Sequence, residues 1–116
     1  HAALIYRTTD GKLRFLHIGS SGQVLNHELK RSWSKFTWSI PDLPNMVLED
    51  IADFCETMGN NPPKLSYRFK HTNDTKLVSE GTNFHIEGQS RGFTCATFVL
   101  TFFQSFNKPL LDLDTW

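Results

Sequence analysis

Short runs in which apolar and polar residues alternate occupy the first quarter of the chain. A repeat of two residues is typical of strands, and the Asp10-Gly11 pair between the first two runs suits a hairpin turn. The pattern therefore predicts a three-stranded antiparallel meander over residues 2–29. In its second strand one face carries Leu13, Phe15 and His17, and the other carries Leu16 and Ile18.

Two later stretches have the spacing of amphipathic helices. The first is predicted to begin with Asn45 as its cap and to end at Gly59, and the second to begin after Thr94 and to end before Asn107. The first buries Val47, Ile51, Phe54, Cys55 and Met58, and the second buries Cys95, Phe98, Val99, Phe102, Phe103 and Phe106. We therefore expect an α+β domain, an antiparallel sheet with the Cys95 helix against one face and the other helix nearby.

The remaining segments carry weaker patterns. We expect strands at 36–40, ended by a proline, and at 109–113. The pattern predicts a short strand or an extended segment at 65–69, a polar loop at 71–81 and a short extended segment at 83–87. It assigns no structure to 30–35. Because no repeat or domain boundary interrupts these patterns, residues 1–116 are predicted to form a single domain.

Composition narrows the function classes. The 12 basic and 12 acidic residues give no net charge and form no basic cluster. We therefore expect neither a nucleic acid nor an anionic membrane as partner. No apolar run is long enough to cross a bilayer, so stable membrane insertion is not expected. Cys-x-x-Cys, His-Glu-x-x-His and histidine pairs four residues apart are all missing, so neither a metal nor another cofactor is expected.

The two cysteines lie on different predicted helices, which favours reduced thiols and an intracellular location. Since the sequence begins at His1 and not at Met, the possibility that a targeting segment precedes it stays open. Cys55 lies on an apolar stripe and is interpreted as core. Cys95 lies in the first turn of its helix, where unpaired N–H groups and the helix dipole favour a thiolate. It is a candidate nucleophile, and the alternative is a small buried side chain.

A nucleophilic cysteine needs a base within hydrogen-bond reach, and the chain has five histidines. His71 falls in a predicted polar loop, and His27 follows an apolar run next to a glutamate. His85 precedes Cys95 by ten residues, and the intervening turn leaves its direction open. His17 lies among apolar neighbours as either a satisfied core residue or a site residue, and His1 lies at the start of the first strand.

The motifs at the two ends of the chain resemble those of the permuted papain-like superfamily, which includes lecithin:retinol acyltransferase-like proteins and permuted relatives of NlpC-type amidases. At the N-terminal end the similarity covers His1–Tyr6, a hairpin containing glycine, and a second strand carrying His17. At the other end it covers Thr94–Val99, a cysteine that opens a helix and is followed by Phe-Val. The hairpin is longer than usual, and threonine stands where the family often has Asn or Asp. Residues between these ends match no named motif.

The resemblance implies a papain-like fold in which Cys95 is the nucleophile, His1 the general base and His17 the group that orients it. It implies a hydrolase of an amide, ester or thioester bond, with a peptide, amide or acyl compound as substrate. The Cys95 backbone N–H, at the helix start, would stabilise the oxyanion. The alternatives are an acyltransferase of the same fold and a catalytically inactive interaction domain.

Overall fold

An antiparallel sheet of three strands forms from the N-terminal alternation, as predicted. The computed structural model describes residues 1–30, 37–68, 74–88 and 92–110. Strands β1 (Leu4–Arg7), β2 (Leu13–Ile18) and β3 (Val24–Glu28) lie in the order β1-β2-β3. Leu4 pairs with Leu16, which pairs with Asn26. Gly11, with φ of 86°, closes the first turn, in which Thr8 N–H donates to the Lys12 carbonyl at 2.8 Å.

Helix α1 (Asn45–Asn60) buries Ile51, Cys55 and Met58, three residues of the predicted stripe. Both of its predicted ends are wrong. Pro44 occupies the cap position without a side-chain hydrogen bond, so Asn45 is the first helical residue. The helix continues through Gly59, where an added Cβ would lie 3.0 Å from Tyr6 Oη and still nearer the Asn26 side chain. Glycine thus serves close packing against the sheet rather than termination.

Helix α2 (Cys95–Ser105) begins at the predicted residue and ends one residue before the predicted Phe106, which is its C-cap. Thr94 is its N-cap, and Asn107 has a left-handed φ of 55°. Asn107 N–H donates to the Gln104 carbonyl at 2.9 Å and Lys108 N–H to the Phe103 carbonyl at 3.0 Å. These two bonds are those of a Schellman motif, which asparagine can close because it tolerates the left-handed conformation.

A second sheet, which the sequence analysis missed, contains β4 (Lys76–Glu80) and β5 (Asn83–Glu87) in antiparallel pairing. The predicted loop is therefore wrong over 76–80, and the extended segment predicted at 83–87 is confirmed as a strand. Leu77 is 3% exposed, and its backbone N–H donates to Ser105 Oγ of α2 at 2.8 Å. Leu77 is the one buried residue of β4, and the apolar Val78 follows it directly, so the segment shows too little alternation to be recognised as a strand in the sequence.

The strand predicted at 36–40 is wrong over 37–40, which form no strand. Trp38 is 61% and Ile40 85% exposed, so this alternation does not correspond to a buried face. Residues 64–68 are extended and make single bridges, in which Lys64 pairs with Gln23 and Tyr67 with Phe93. Residues 109–110 are not in a strand. The other predicted positions in these segments, 36, 69, 71–73 and 111–113, lie outside the described residues.

One core joins both helices to the same face of the three-stranded sheet. Helix α1 contacts β1 and β3, and α2 contacts β2 and β4. The fully buried side chains at its centre include Leu16, Ile18, Met58, Phe93, Phe98 and Phe102. The chain is thus an α+β domain with an antiparallel sheet and the Cys95 helix packed on it. Within the described ranges, no helix has the length and apolar character needed to cross a membrane.

Candidate active site

Cys95 is the first residue of α2, and the threonine before it builds the helix start. Thr97 N–H donates to Thr94 Oγ1 at 3.2 Å, while Thr94 N–H donates to Thr97 Oγ1 at 2.8 Å. This reciprocal capping box leaves the N–H groups of Cys95 and Ala96 without an acceptor among the described residues. Two backbone donors and the positive end of the helix dipole therefore accompany the half-buried thiol.

The segment before Cys95 is held by backbone contacts with residues 66–68. Phe93 N–H donates to the Ser66 carbonyl at 2.9 Å, and Arg68 N–H donates to the Phe93 carbonyl at 3.2 Å. Phe93 itself is fully buried. At Gly92 an added Cβ would overlap the Ser66 carbonyl oxygen and lie 2.7 Å from Arg68 Cγ. Glycine is thus required for this close approach, which fixes where α2 and its cysteine begin.

His1 and His17, the proposed base and orienting group, lie together. His1 Nε2 and His17 Nδ1 are 2.9 Å apart, and the two rings meet edge to face with centroids 4.8 Å apart. The His17 ring also stacks on Phe15 at 5.0 Å. Because Nε2 of His1 is occupied by His17, its Nδ1 is the ring nitrogen left to act on a thiol. The structure therefore brings two of the three predicted site residues together.

His27 adds a third imidazole to this face, with its ring centroid 5.5 Å from that of His17. Burial, and secondarily the charge of His27, lower the pKa of His17 below its ordinary value. Both effects favour the neutral imidazole at neutral pH. His85 lies on β5 and faces Glu87 at 3.5 Å, and His71 is outside the described residues.

The pleat of β2 separates His17 from the core. Its neighbours Leu16 and Ile18 are 0% and 1% exposed and face the helices, so His17 lies on the opposite face of the sheet. Cys95 packs at the edge of the core cluster to which those two side chains belong. Within the described residues no hydrogen bond joins Cys95 Sγ to His1 or His17. The thiol and the histidine pair therefore lie on opposite sides of the sheet and do not form one assembled site in this structure.

Cys55, the other thiol, is 1% exposed in the core, as predicted for a structural residue. Burial raises the pKa of this thiol far above its ordinary value, because a charged sulfur would lose its hydration. At neutral pH Cys55 is therefore a neutral apolar group. Among the described residues, no group of three His, Cys, Asp or Glu side chains could hold a metal ion.

A polar cleft of about 390 Å³ beside the sheet was not found from the sequence. Tyr6 Oη donates to Asn26 Oδ1 at 2.7 Å, and Arg14 Nη2 donates to the Asn26 carbonyl at 3.1 Å. Burial is the main cause that raises the pKa of Tyr6. These residues come from three different strands and form no local motif, so only the register brings them together. They bond one another and serve to fasten the sheet.

Comparison of the chain with protein-family models, with curated proteins and with solved structures gave no match.

Proposed function

We propose that this protein is a cysteine-dependent hydrolase in which Cys95 is the nucleophile. The observation that carries the proposal is the position of Cys95, a half-buried thiol at the first residue of α2 beside two backbone N–H groups that no described residue accepts from. A helix start of this kind offers two N–H donors to a developing oxyanion. Cys55 has none of these features, so it serves as an internal control for the reactivity of Cys95.

In the proposed reaction His1 acts as the base, and His17 holds its ring through the 2.9 Å contact. The base takes the thiol proton, and the Cys95 sulfur attacks the carbonyl carbon of an amide, ester or thioester. The N–H groups of Cys95 and Ala96 stabilise the oxyanion, and the leaving group departs with the proton from the imidazolium. Water then resolves the acyl-thioester, whereas attack by another nucleophile would make the same protein an acyltransferase.

This mechanism requires a rearrangement that brings His1 to the thiol, because the histidine pair lies on the face of the sheet opposite to α2 and no hydrogen bond joins it to Cys95 Sγ among the described residues. His1 precedes β1 by three positions and is exposed, so its ring is placed by the contact with His17 and not by the strand ladder. The proposal includes the permuted papain-like fold, which has the same chain order of a histidine strand, a second histidine strand and a cysteine helix.

The acyl-thioester provides a direct test. After incubation with p-nitrophenyl acetate and an acid quench, peptide mass spectrometry should find an acetyl group on Cys95 that disappears on longer incubation. Cys95→Ala should lose both the acetyl group and p-nitrophenol release above background, while Cys55→Ala should keep them. Acetylation of Cys55 alone, or release that is unchanged in Cys95→Ala, would contradict the assignment.

A non-catalytic interaction domain is the second candidate, and the pleat of β2 favours it. Because Leu16 and Ile18 fill the core, His17 lies on the face opposite to α2. In that case the His1–His17 pair stabilises the outer face of the sheet, and the thiol is a capped helix residue without a base. The acetylation test separates the two candidates, because an interaction domain would form no acyl-thioester.

A further inference from the structure

A cavity of about 700 Å³ lies between β1, α1 and residues 38–41. Its inner wall is apolar and includes Leu4, Tyr6, Ile51, Cys55 and Phe103. Its outer rim carries large apolar side chains that are exposed, namely Ile5, Leu13, Trp38 and Ile40. An exposed apolar rim around a cavity of this size is typical of a binding site.

The open edge of β1 forms one side of this cavity. Six consecutive residues, 4–9, line it. Since side chains of a strand alternate between faces, a consecutive lining means that the edge itself faces the cavity. The Thr8–Lys12 bond fixes the hydrogen-bonding alternation, so Ile5 and Arg7 direct their N–H and C=O groups away from β2. No described residue bonds these groups, and β1 is an edge strand.

Two carboxylates lie at the same cavity. Glu49 and Asp53 are exposed, one helical turn apart on α1, and neither forms an ion pair within the described residues. Like charges at this spacing repel each other. The guanidinium of Arg7 is turned to the Gly11 carbonyl, to which its Nη1 donates at 3.2 Å. A positive charge from a partner would therefore be favourable beside Glu49 and Asp53.

We propose that this cavity binds an extended peptide segment of another protein, which adds to β1 as a further strand. The backbone of the segment bonds Ile5 and Arg7, an apolar side chain enters the cavity, and a basic side chain two positions away faces Glu49 and Asp53. Phe103, the α2 residue in the cavity wall, lies eight residues from Cys95, about 12 Å along the helix axis. The surface is therefore separate from the thiol and does not depend on its chemistry.

The test uses an acetylated and amidated peptide, Thr-Val-Thr-Leu-Thr-Lys-Thr, titrated into the ¹⁵N-labelled chain. The amide signals of Ile5 and Arg7 should shift, because they gain hydrogen-bond partners. Methylating alternate peptide nitrogens on the bonding edge should weaken binding by at least tenfold. The double variant Glu49→Gln/Asp53→Asn should weaken it about three- to tenfold, as expected when the one lysine of the peptide loses two exposed carboxylate partners. Glu80→Gln, an exposed carboxylate on β4, is the matched control and should change nothing.

Three results would overturn the proposal. The first is a titration that leaves Ile5 and Arg7 unshifted while the chain stays folded. The second is equal affinity for the N-methylated peptide, which would indicate an apolar small-molecule site instead. The third is a shift of the same amides with protein concentration alone, which would make a second copy of the chain the occupant. Cys95→Ala should bind the peptide as tightly as the wild type does. A failure of the hydrolase proposal would therefore leave peptide binding unchanged, and the two proposals fail separately.

Discussion

Gly92→Ala is the substitution that most directly tests how the start of α2 is positioned. The new methyl group would overlap the Ser66 carbonyl oxygen and lie 2.7 Å from both its carbonyl carbon and Arg68 Cγ. Since two of these atoms are backbone, the segment must move, which endangers the 2.9 Å bond from Phe93 N–H to Ser66. One lost backbone bond costs about 0.5–1.5 kcal/mol and the overpacking about 1–3 kcal/mol. We therefore expect Gly92→Ala to lower the free energy of unfolding by about 2–4 kcal/mol.

Urea unfolding of Gly92→Ala and of a matched glycine variant measures this loss. Gly19→Ala is the control, because its added Cβ would meet the flexible Leu25 side chain at 3.3 Å. The control should lose less than about 1 kcal/mol. If both variants unfold at the same urea concentration, the close approach of Gly92 to Ser66 is not a constraint, and our account of how Cys95 is positioned is refuted.

Three further predictions concern the cap, the core thiol and the histidine face. Thr94→Ala should cost about 1 kcal/mol of unfolding free energy in urea, while Thr94→Ser keeps the cap and should cost less. Cys55→Ala should cost on the order of 1 kcal/mol and leave esterase activity intact, and native Cys55 should resist alkylation. Because the pKa of His17 is lowered, the unfolded chain binds its proton more readily, so stability should fall as pH drops below about 6.5. His17→Gln should reduce that fall in urea midpoint, and His85→Gln should not.

The sequence predicts the elements that have a strong local signal. Alternation and the Asp10-Gly11 turn give the meander, and the spacing of phenylalanines with the Thr94 cap gives α2. The hairpin of β4 and β5 was missed because Leu77 is the one fully buried residue in β4. The C-terminal end of α1 was misplaced because Gly59 serves close packing against Tyr6 and Asn26 and does not end the helix. Tertiary contacts, which no local pattern records, decide both cases.

The candidate site shows the same division. The meander brings His1 next to His17, as the sequence reading required. The side of the sheet on which this pair lies is not recorded in the sequence, because both faces of β2 are apolar. Leu13 and Phe15 mark one face, and Leu16 and Ile18 mark the other. Only the packing of α2 on Leu16 and Ile18 decides which of the two faces of β2 is buried.

The pH dependence of alkylation at Cys95 distinguishes a nucleophile assisted by His1 from a capped helix residue without a base. Iodoacetamide labelling of Cys95, followed by peptide mass spectrometry in the Cys55→Ala background, measures the reactive thiolate at each pH. We expect fast labelling that persists into mildly acidic solution. His1→Ala should lose most of that acid-range labelling and His17→Ala less of it, while His27→Ala and His85→Ala should leave it unchanged. Labelling that is slow below neutral pH and unaffected by His1→Ala, or that depends on His85 instead, would contradict it.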